Sequence, residues 1–243
     1  MNALRQFRFE TIGRLFCYPT EHYVSDVREL AGALRVAGSR AAKPMGRFVD
    51  YAGSVSPHEL EETFTRTFDL NPACAAEIGW HLFGEEYLRG LFMVRIRAEM
   101  RERGLEETGE LPDHVVHVLA VLAAMEPGPA RELARACVCP AVGKMQRALD
   151  EKNGGGQPPF RPLVDALAEL LLEEFELPAD ALCAEEGDTA AFVASDPLHG
   201  PPCGAGGCGG EPELFSLEPS CARPASAPAI MTRPANVTEE TQP

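Results

Sequence analysis

Apolar residues recur at helical spacing through the first 180 or so positions of this 243-residue chain, and strand-like alternation is absent. Leu4, Phe7, Ile12, Leu15 and Phe16 form one stripe, ended by Tyr18-Pro19-Thr20. Val24, Val27, Leu30, Ala31 and Leu34 mark a second helix over 22–36, and a short third fits 44–52. Ser56, Pro57 and Glu59 then spell a capping box, with the hydroxyl placed to accept the N–H of the residue three further on. That helix is predicted to run to about residue 70, where Asn71-Pro72 interrupts it. A long helix fits 85–103, with Tyr87, Leu91, Val94 and Ala98 inward and Gly104 as its stop. Pro112 opens the next, with Val115, Val116, Leu119 and Leu122 inward, and two more fit 130–151 and 160–175. The expectation is an all-α single bundle of roughly eight helices.

Beyond residue 180 the composition changes. The last 63 residues hold 9 Pro and 7 Gly but only 9 Leu, Ile, Val or Phe, too little apolar surface to offset the entropy of ordering. The chain therefore divides into a helical domain over 1–180 and a Pro/Gly/Cys-rich tail over 181–243 that is expected to be disordered. Net charge is −15, of which −7 falls in the tail and −8 on residues 54–130 alone. Such acidity excludes a nucleic-acid partner, because phosphate contacts need Lys and Arg. It suits a basic peptide, or simply solubility. No secretory signal opens the chain and no run of 18 apolar residues occurs, so a cytoplasmic protein without a membrane span is expected, its eight cysteines reduced.

Metal and catalytic chemistry find little support. His114 and His117 stand three apart on one predicted helix, and Cys74 and His81 could approach each other. Yet zinc needs three or four convergent ligands, and no C-x-x-C or H-E-x-x-H spacing appears. These histidines fit a pocket lining or a wet helix face better, and Cys137 and Cys139, two apart on a helix, fit as small core residues. In the tail, CGAGGCGG places Cys203 and Cys208 in a glycine-rich loop, an alternative site for a soft metal. No G-x-S-x-G or P-loop motif is present, and nothing assembles a nucleophile, base and orienter. An enzyme is not expected, nor a cofactor of its own.

The segment Glu110-Leu111-Pro112-Asp113-His114 resembles the ELPDH signature of the NarJ/TorD/DmsD family of redox-enzyme maturation chaperones, closest to its NarJ branch. FTRTFDLNP followed by EIGWHLFGEEYLRG, over 64–90, and the opening IGRLFCYPTEHY are similar to that family's other landmarks and occur in its order, so the resemblance spans about 5–175. Two departures stand out: Val-Val-His-Val follows ELPDH here, and the tail is no part of the common domain. The resemblance implies an all-helical assembly chaperone without turnover, monomeric or dimeric. It implies as partner the catalytic subunit of a molybdopterin oxidoreductase, a nitrate reductase α subunit or a relative. Such a chaperone binds the client's N-terminal or twin-arginine-like segment while the molybdenum cofactor is inserted, before membrane docking or export. A metal- or redox-handling accessory protein acting through the tail cysteines is the rival reading.

A basic–apolar peptide calls for an apolar floor with a carboxylate rim. Phe68, Trp80 and Phe83 are expected on the floor, with Asp69, Glu77, Glu85, Glu86, Glu110 and Asp113 on the rim. His81, Pro112, His114 and His117 complete the expected peptide-binding set. Trp80 and Phe83 are equally suited to filling the core, and Asp113-His114 to starting the helix after Pro112. If His114 titrates at its ordinary pKa of about 6.5, peptide binding should weaken as pH falls from about 7.5 to 6.

Overall fold

The computed structural model describes residues 3–151 and 158–183, together with Thr189 and Val193. Ten α-helices follow one another among these residues: α1 (Ala3–Arg14), α2 (Tyr23–Val36), α3 (Ala42–Ser54), α4 (Pro57–Phe64), α5 (Ile78–Phe83), α6 (Tyr87–Glu102), α7 (Val115–Ala124), α8 (Pro127–Leu133), α9 (Cys139–Glu151) and α10 (Arg161–Glu174). A π turn at Thr65–Asp69 continues α4, and another at Ala134–Val138 joins α8 to α9. Short 3-10 turns occupy Pro72–Cys74 and Ala179–Cys183. No strand occurs among the described residues, and the all-α expectation holds. The helix predicted over 130–151 instead starts at Pro127, as α8, and passes through the π turn into α9. Two further points differ from the expectation. The short α5 is an addition to the predicted set, because its six residues, between an Asn-Pro break and a glycine, make fewer than two helical turns and show no repeating stripe.

The second difference is the register of α6. Its buried residues are Phe92, Ile96 and Met100, whereas Tyr87 and Val94 are 77% and 50% exposed. Both sets of apolar residues recur at helical spacing, so periodicity alone does not choose between them; the set at four-residue spacing, Phe92, Ile96 and Met100, fills the core.

The core is built by α1 against α7, α2 against α3, and α10 against both α3 and α9. Leu163, Leu167, Leu170 and Leu171 of α10 are fully or almost fully buried, each contributing about 1.5–3 kcal/mol of apolar transfer. Just before α10, the Phe160 ring interlocks with those of Phe16, Phe48, Phe64 and Phe68 in one cluster, with centroids 5.0 Å apart for Phe64–Phe68 and 5.2 Å for Phe68–Phe160. Helix α1 is less cleanly amphipathic because Arg5 and Arg8 are themselves buried. Glu174 stands 3.8 Å and 4.0 Å from their guanidinium groups, and Arg5 also donates to the Leu122 carbonyl and lies over the Phe175 ring. Cys137 and Cys139 are buried in the core, and burial pushes both thiols up to about 12.

Packing of the body extends past residue 180. The Ala179–Cys183 turn lies across α9, and the Thr189 hydroxyl donates to the Ala136 carbonyl of the second π turn at 2.7 Å, with Val193 buried nearby in the sequence. The crossing at α9 depends on Gly143, where a side-chain carbon would come within 1.9 Å of the Leu182 carbonyl oxygen. Gly143→Ala is therefore expected to destabilise by about 1–3 kcal/mol, as overpacking does. It should lower the melting temperature by several degrees and speed proteolytic cleavage near residues 179–183. An unchanged melt and an unchanged cleavage rate would show that this crossing is not a tight one.

Candidate functional site

The FTRTFDLNP segment reaches its place through α4. The Ser56 hydroxyl accepts the Glu59 N–H at 3.2 Å, starting the helix where the capping box predicts. The π turn that follows inserts an extra residue per turn, leaving Phe68 buried in the aromatic cluster and Asp69 exposed beside it. Two strand-like bonds then tie this region to the ELPDH segment: Ile78 N–H donates to the Asp113 carbonyl at 2.7 Å, and Val115 N–H to the Ala76 carbonyl at 2.9 Å. Sequence segments some 35 residues apart are thus held side by side.

Between them lies a cleft of about 510 Å³. Its walls come from the end of α1 (Phe16, Cys17, Tyr18), the first π turn (Phe68, Asp69), the turn before α5 (Pro72, Ala75, Ala76, Glu77), and the ELPDH loop (Glu110, Leu111, His114). Phe64, Trp80 and Arg89 complete the lining. Trp80 is partly exposed, its indole N–H donating to the Pro72 carbonyl at 2.7 Å, and the Arg89 guanidinium lies 5.6 Å over its ring. Burial pushes the Glu77 carboxyl up, and the neighbouring Asp113 and Glu110 add to this while Arg89 opposes it.

Of the residues expected from the sequence, Phe68, Asp69, Glu77, Trp80, Glu110 and His114 line the cleft. The others sit elsewhere. Asp113 is fully buried, not a rim charge: its Oδ2 accepts from Arg89 Nε at 2.7 Å and its Oδ1 from Nη2 at 3.5 Å. Gly79 makes room for it, since a side-chain carbon there would meet Asp113 Oδ2 at 2.6 Å. His117 is buried behind the loop, its Nδ1–H donating to the Leu111 carbonyl at 2.9 Å while Nε2 accepts the Thr108 N–H at 2.9 Å. Pro112 is buried beside them. His81 Nε2 shares a 2.7 Å bond with the Ala75 carbonyl, and burial holds its pKa below the ordinary value. Phe83 packs on Phe92 in the core, and Glu85 and Glu86 are exposed outside the lining.

His114 caps α7 through Nδ1, which accepts the Val116 N–H at 3.1 Å. Burial, with His117 adding to it, drives its pKa down to about 4 against a hydrogen bond with the Phe16 backbone. It stays neutral between pH 7.5 and 6, so the expected loss of peptide binding over that range does not arise from this ring. The sequence reading missed Phe16, Cys17, Tyr18, Phe64, Arg89 and Leu111. The sequence places the Phe16-Cys17-Tyr18 run at the end of an apolar stripe and within a family landmark but not in a site, although apolar side chains immediately past a helix stop are the signal that something packs there. Cys17, Glu110 and His114 offer donor atoms within 4.8 Å of one another, the one such cluster among the described residues. Cys203 and Cys208 lie outside the described residues.

A family model described as nitrate reductase delta subunit matches residues 37–151. Over that stretch, just under half of its length, the chain is similar to the nitrate reductase delta-subunit family. No curated protein matches the chain significantly. The family is one of maturation chaperones, accessory to nitrate reductase. The delta-subunit match includes both segments that the strand-like bonds join, whereas the Phe16–Tyr18 wall of the cleft precedes it. No helix among the described residues is long and apolar enough to cross a membrane.

Two outcomes follow for the region around the cleft. Asp113→Asn leaves the Arg89 guanidinium without its buried counter-charge and is expected to cost about 2–4 kcal/mol, seen as a distinctly lower melting temperature; an unchanged melt would mean that the pair does not hold α6 to the ELPDH loop. The second concerns pH. His114 binds a proton more weakly folded, at about 4, than unfolded, at about 6.5. The unfolded chain thus takes up the proton first, and the stability present above about pH 6.5 is lost as pH falls toward 4. Relative to His114→Gln, the natural protein should lose on the order of 3 kcal/mol between pH 7 and 4 in denaturant titrations. Parallel pH profiles would contradict the buried neutral ring.

Proposed function

We propose that this protein is an assembly chaperone, without turnover, that binds the N-terminal segment of a molybdoenzyme catalytic subunit, a nitrate reductase α subunit. It would hold that subunit in the cytoplasm while the molybdenum cofactor is inserted, before membrane docking or export. The observation that carries this reading is the composition of the cleft. Trp80 and Leu111 offer apolar surface above a floor closed by the buried rings of Phe16, Phe64 and Phe68, while Asp69, Glu77 and Glu110 stand around them. Arg89, the single lining cation among the described residues, is bonded to Asp113. A peptide that begins with arginines and continues as an apolar, helix-prone stretch meets both halves of that surface. The similarity to the delta-subunit family agrees with this partner. The helical body is proposed as the client-binding unit, with the residues after about 193 dispensable for that binding.

A synthetic peptide of two arginines followed by an apolar helical segment tests the reading by titration calorimetry. Asp69→Asn combined with Glu110→Gln should weaken binding roughly 2- to 10-fold, because rim charges are each worth up to about 1 kcal/mol. The loss should shrink as salt rises, and the melting temperature should stay within a degree or two. Replacing Cys183, Cys203, Cys208 and Cys221 with Ser should leave affinity unchanged. Equal affinity of the natural protein and the double variant at low salt would rule out the acidic rim. A large loss on removing the four cysteines would favour a metal- or redox-handling role for the tail.

A further inference from the structure

We propose that Cys17, Glu110 and His114 form a binding site for a divalent transition metal of the zinc class. The three residues come from separate places in the chain: the turn after α1, the loop before α7, and the first position flanking α7. A thiol, a carboxylate and an imidazole there present donor atoms that all lie within 4.8 Å of one another. Tetrahedral zinc holds such donors about 3.5 Å apart, so closing on the ion requires only a small contraction. Glu110 is exposed and Cys17 half-buried, which leaves these two side chains free to move toward a buried imidazole fixed at a helix start.

The donor types select the ion. Magnesium and calcium take oxygen ligands, whereas a sulfur–nitrogen–oxygen set suits zinc and its neighbours. All three residues line the cleft, so the fourth position faces its interior and would be filled by water, the arrangement of an open site. No short motif announces the site in the sequence, because α1 and the ELPDH loop meet only in the folded chain.

Protons balance simply. The Cys17 thiol gives its proton to solvent, and the carboxylate has none to give. His114 Nδ1 now accepts the Val116 N–H, which leaves the ring proton on Nε2. Ligation through Nε2 moves that proton to Nδ1, and both the cap bond to Val116 and the bond to the Phe16 backbone are given up. Two such bonds are small beside the affinity of a three-ligand zinc site. Binding the metal would thus tie the end of α1 to the loop before α7 while loosening the first turn of α7. None of this depends on the peptide reading of the cleft, and the test needs no client.

The test uses the full chain with Cys183, Cys203, Cys208 and Cys221 replaced by Ser, so that tail thiols do not compete, and cobalt(II) as the probe. One equivalent should bind with a thiolate-to-cobalt charge-transfer band and tetrahedral visible absorption, both bleached by zinc. Cys17→Ser in this background should abolish the charge-transfer band, and Glu110→Gln, an exposed position that does not threaten folding, should weaken cobalt at least about tenfold. Zinc should raise the melting temperature of the parent and not of Cys17→Ser. Absence of the band, its persistence in Cys17→Ser, or full-strength binding in Glu110→Gln would each overturn the assignment.

Discussion

The pairing of residues 76–78 with 113–115 is the constraint on which the cleft depends. Two backbone bonds, of 2.7 and 2.9 Å, do what the helices alone do not: they fix the turn before α5 against the loop before α7. The Asp113–Arg89 pair lies directly behind them and adds α6 to the junction. A buried carboxylate is costly unless paired and hydrogen-bonded, so each of these contacts is needed once the others exist. Gly79 belongs to the same unit, because any larger residue would occupy the space of the Asp113 carboxylate. His117 does for the rest of the loop what Asp113 does for its end, clasping Leu111 with one ring nitrogen and Thr108 with the other.

With that junction fixed, the side chains left facing outward decide what the cleft can hold. Residues of ELPDH divide by position: Glu110 and Leu111 face solvent, whereas Pro112, Asp113 and His114 are buried. The second half of the motif thereby builds the wall, and its first half leaves a charge and an apolar side chain exposed at the cleft. Trp80 is held in place by its bond to the Pro72 carbonyl and by the Arg89 guanidinium above it, so its ring is presented at little further entropic cost.

Much of the fold was legible in the sequence because helical periodicity and caps are local. The Ser56 cap, the α2 stripe and the α10 leucines each appear where spacing alone places them. What escaped was non-local. The six residues of α5 are stabilised by packing rather than by their own period, and the buried face of α6 was settled by neighbours in space. The same holds for the site. Phe68, Asp69, Glu77, Trp80, Glu110 and His114 were legible as an aromatic–acidic set, and they meet in one cleft. That Asp113 would be consumed by Arg89, and that Cys17 would arrive from α1, depends on tertiary approach that no spacing records.

The central claim is that this cleft receives a basic–apolar segment, and Trp80 reports on it directly. It is the only tryptophan of the chain and stands in the cleft wall. Titrating a dye-labelled peptide of two arginines and an apolar helical stretch, with anisotropy for binding and indole emission for location, separates site from affinity. The account predicts a saturable change in Trp80 emission with the same midpoint as the anisotropy curve. Peptide binding seen by anisotropy with Trp80 emission unmoved would place the occupant elsewhere and contradict it.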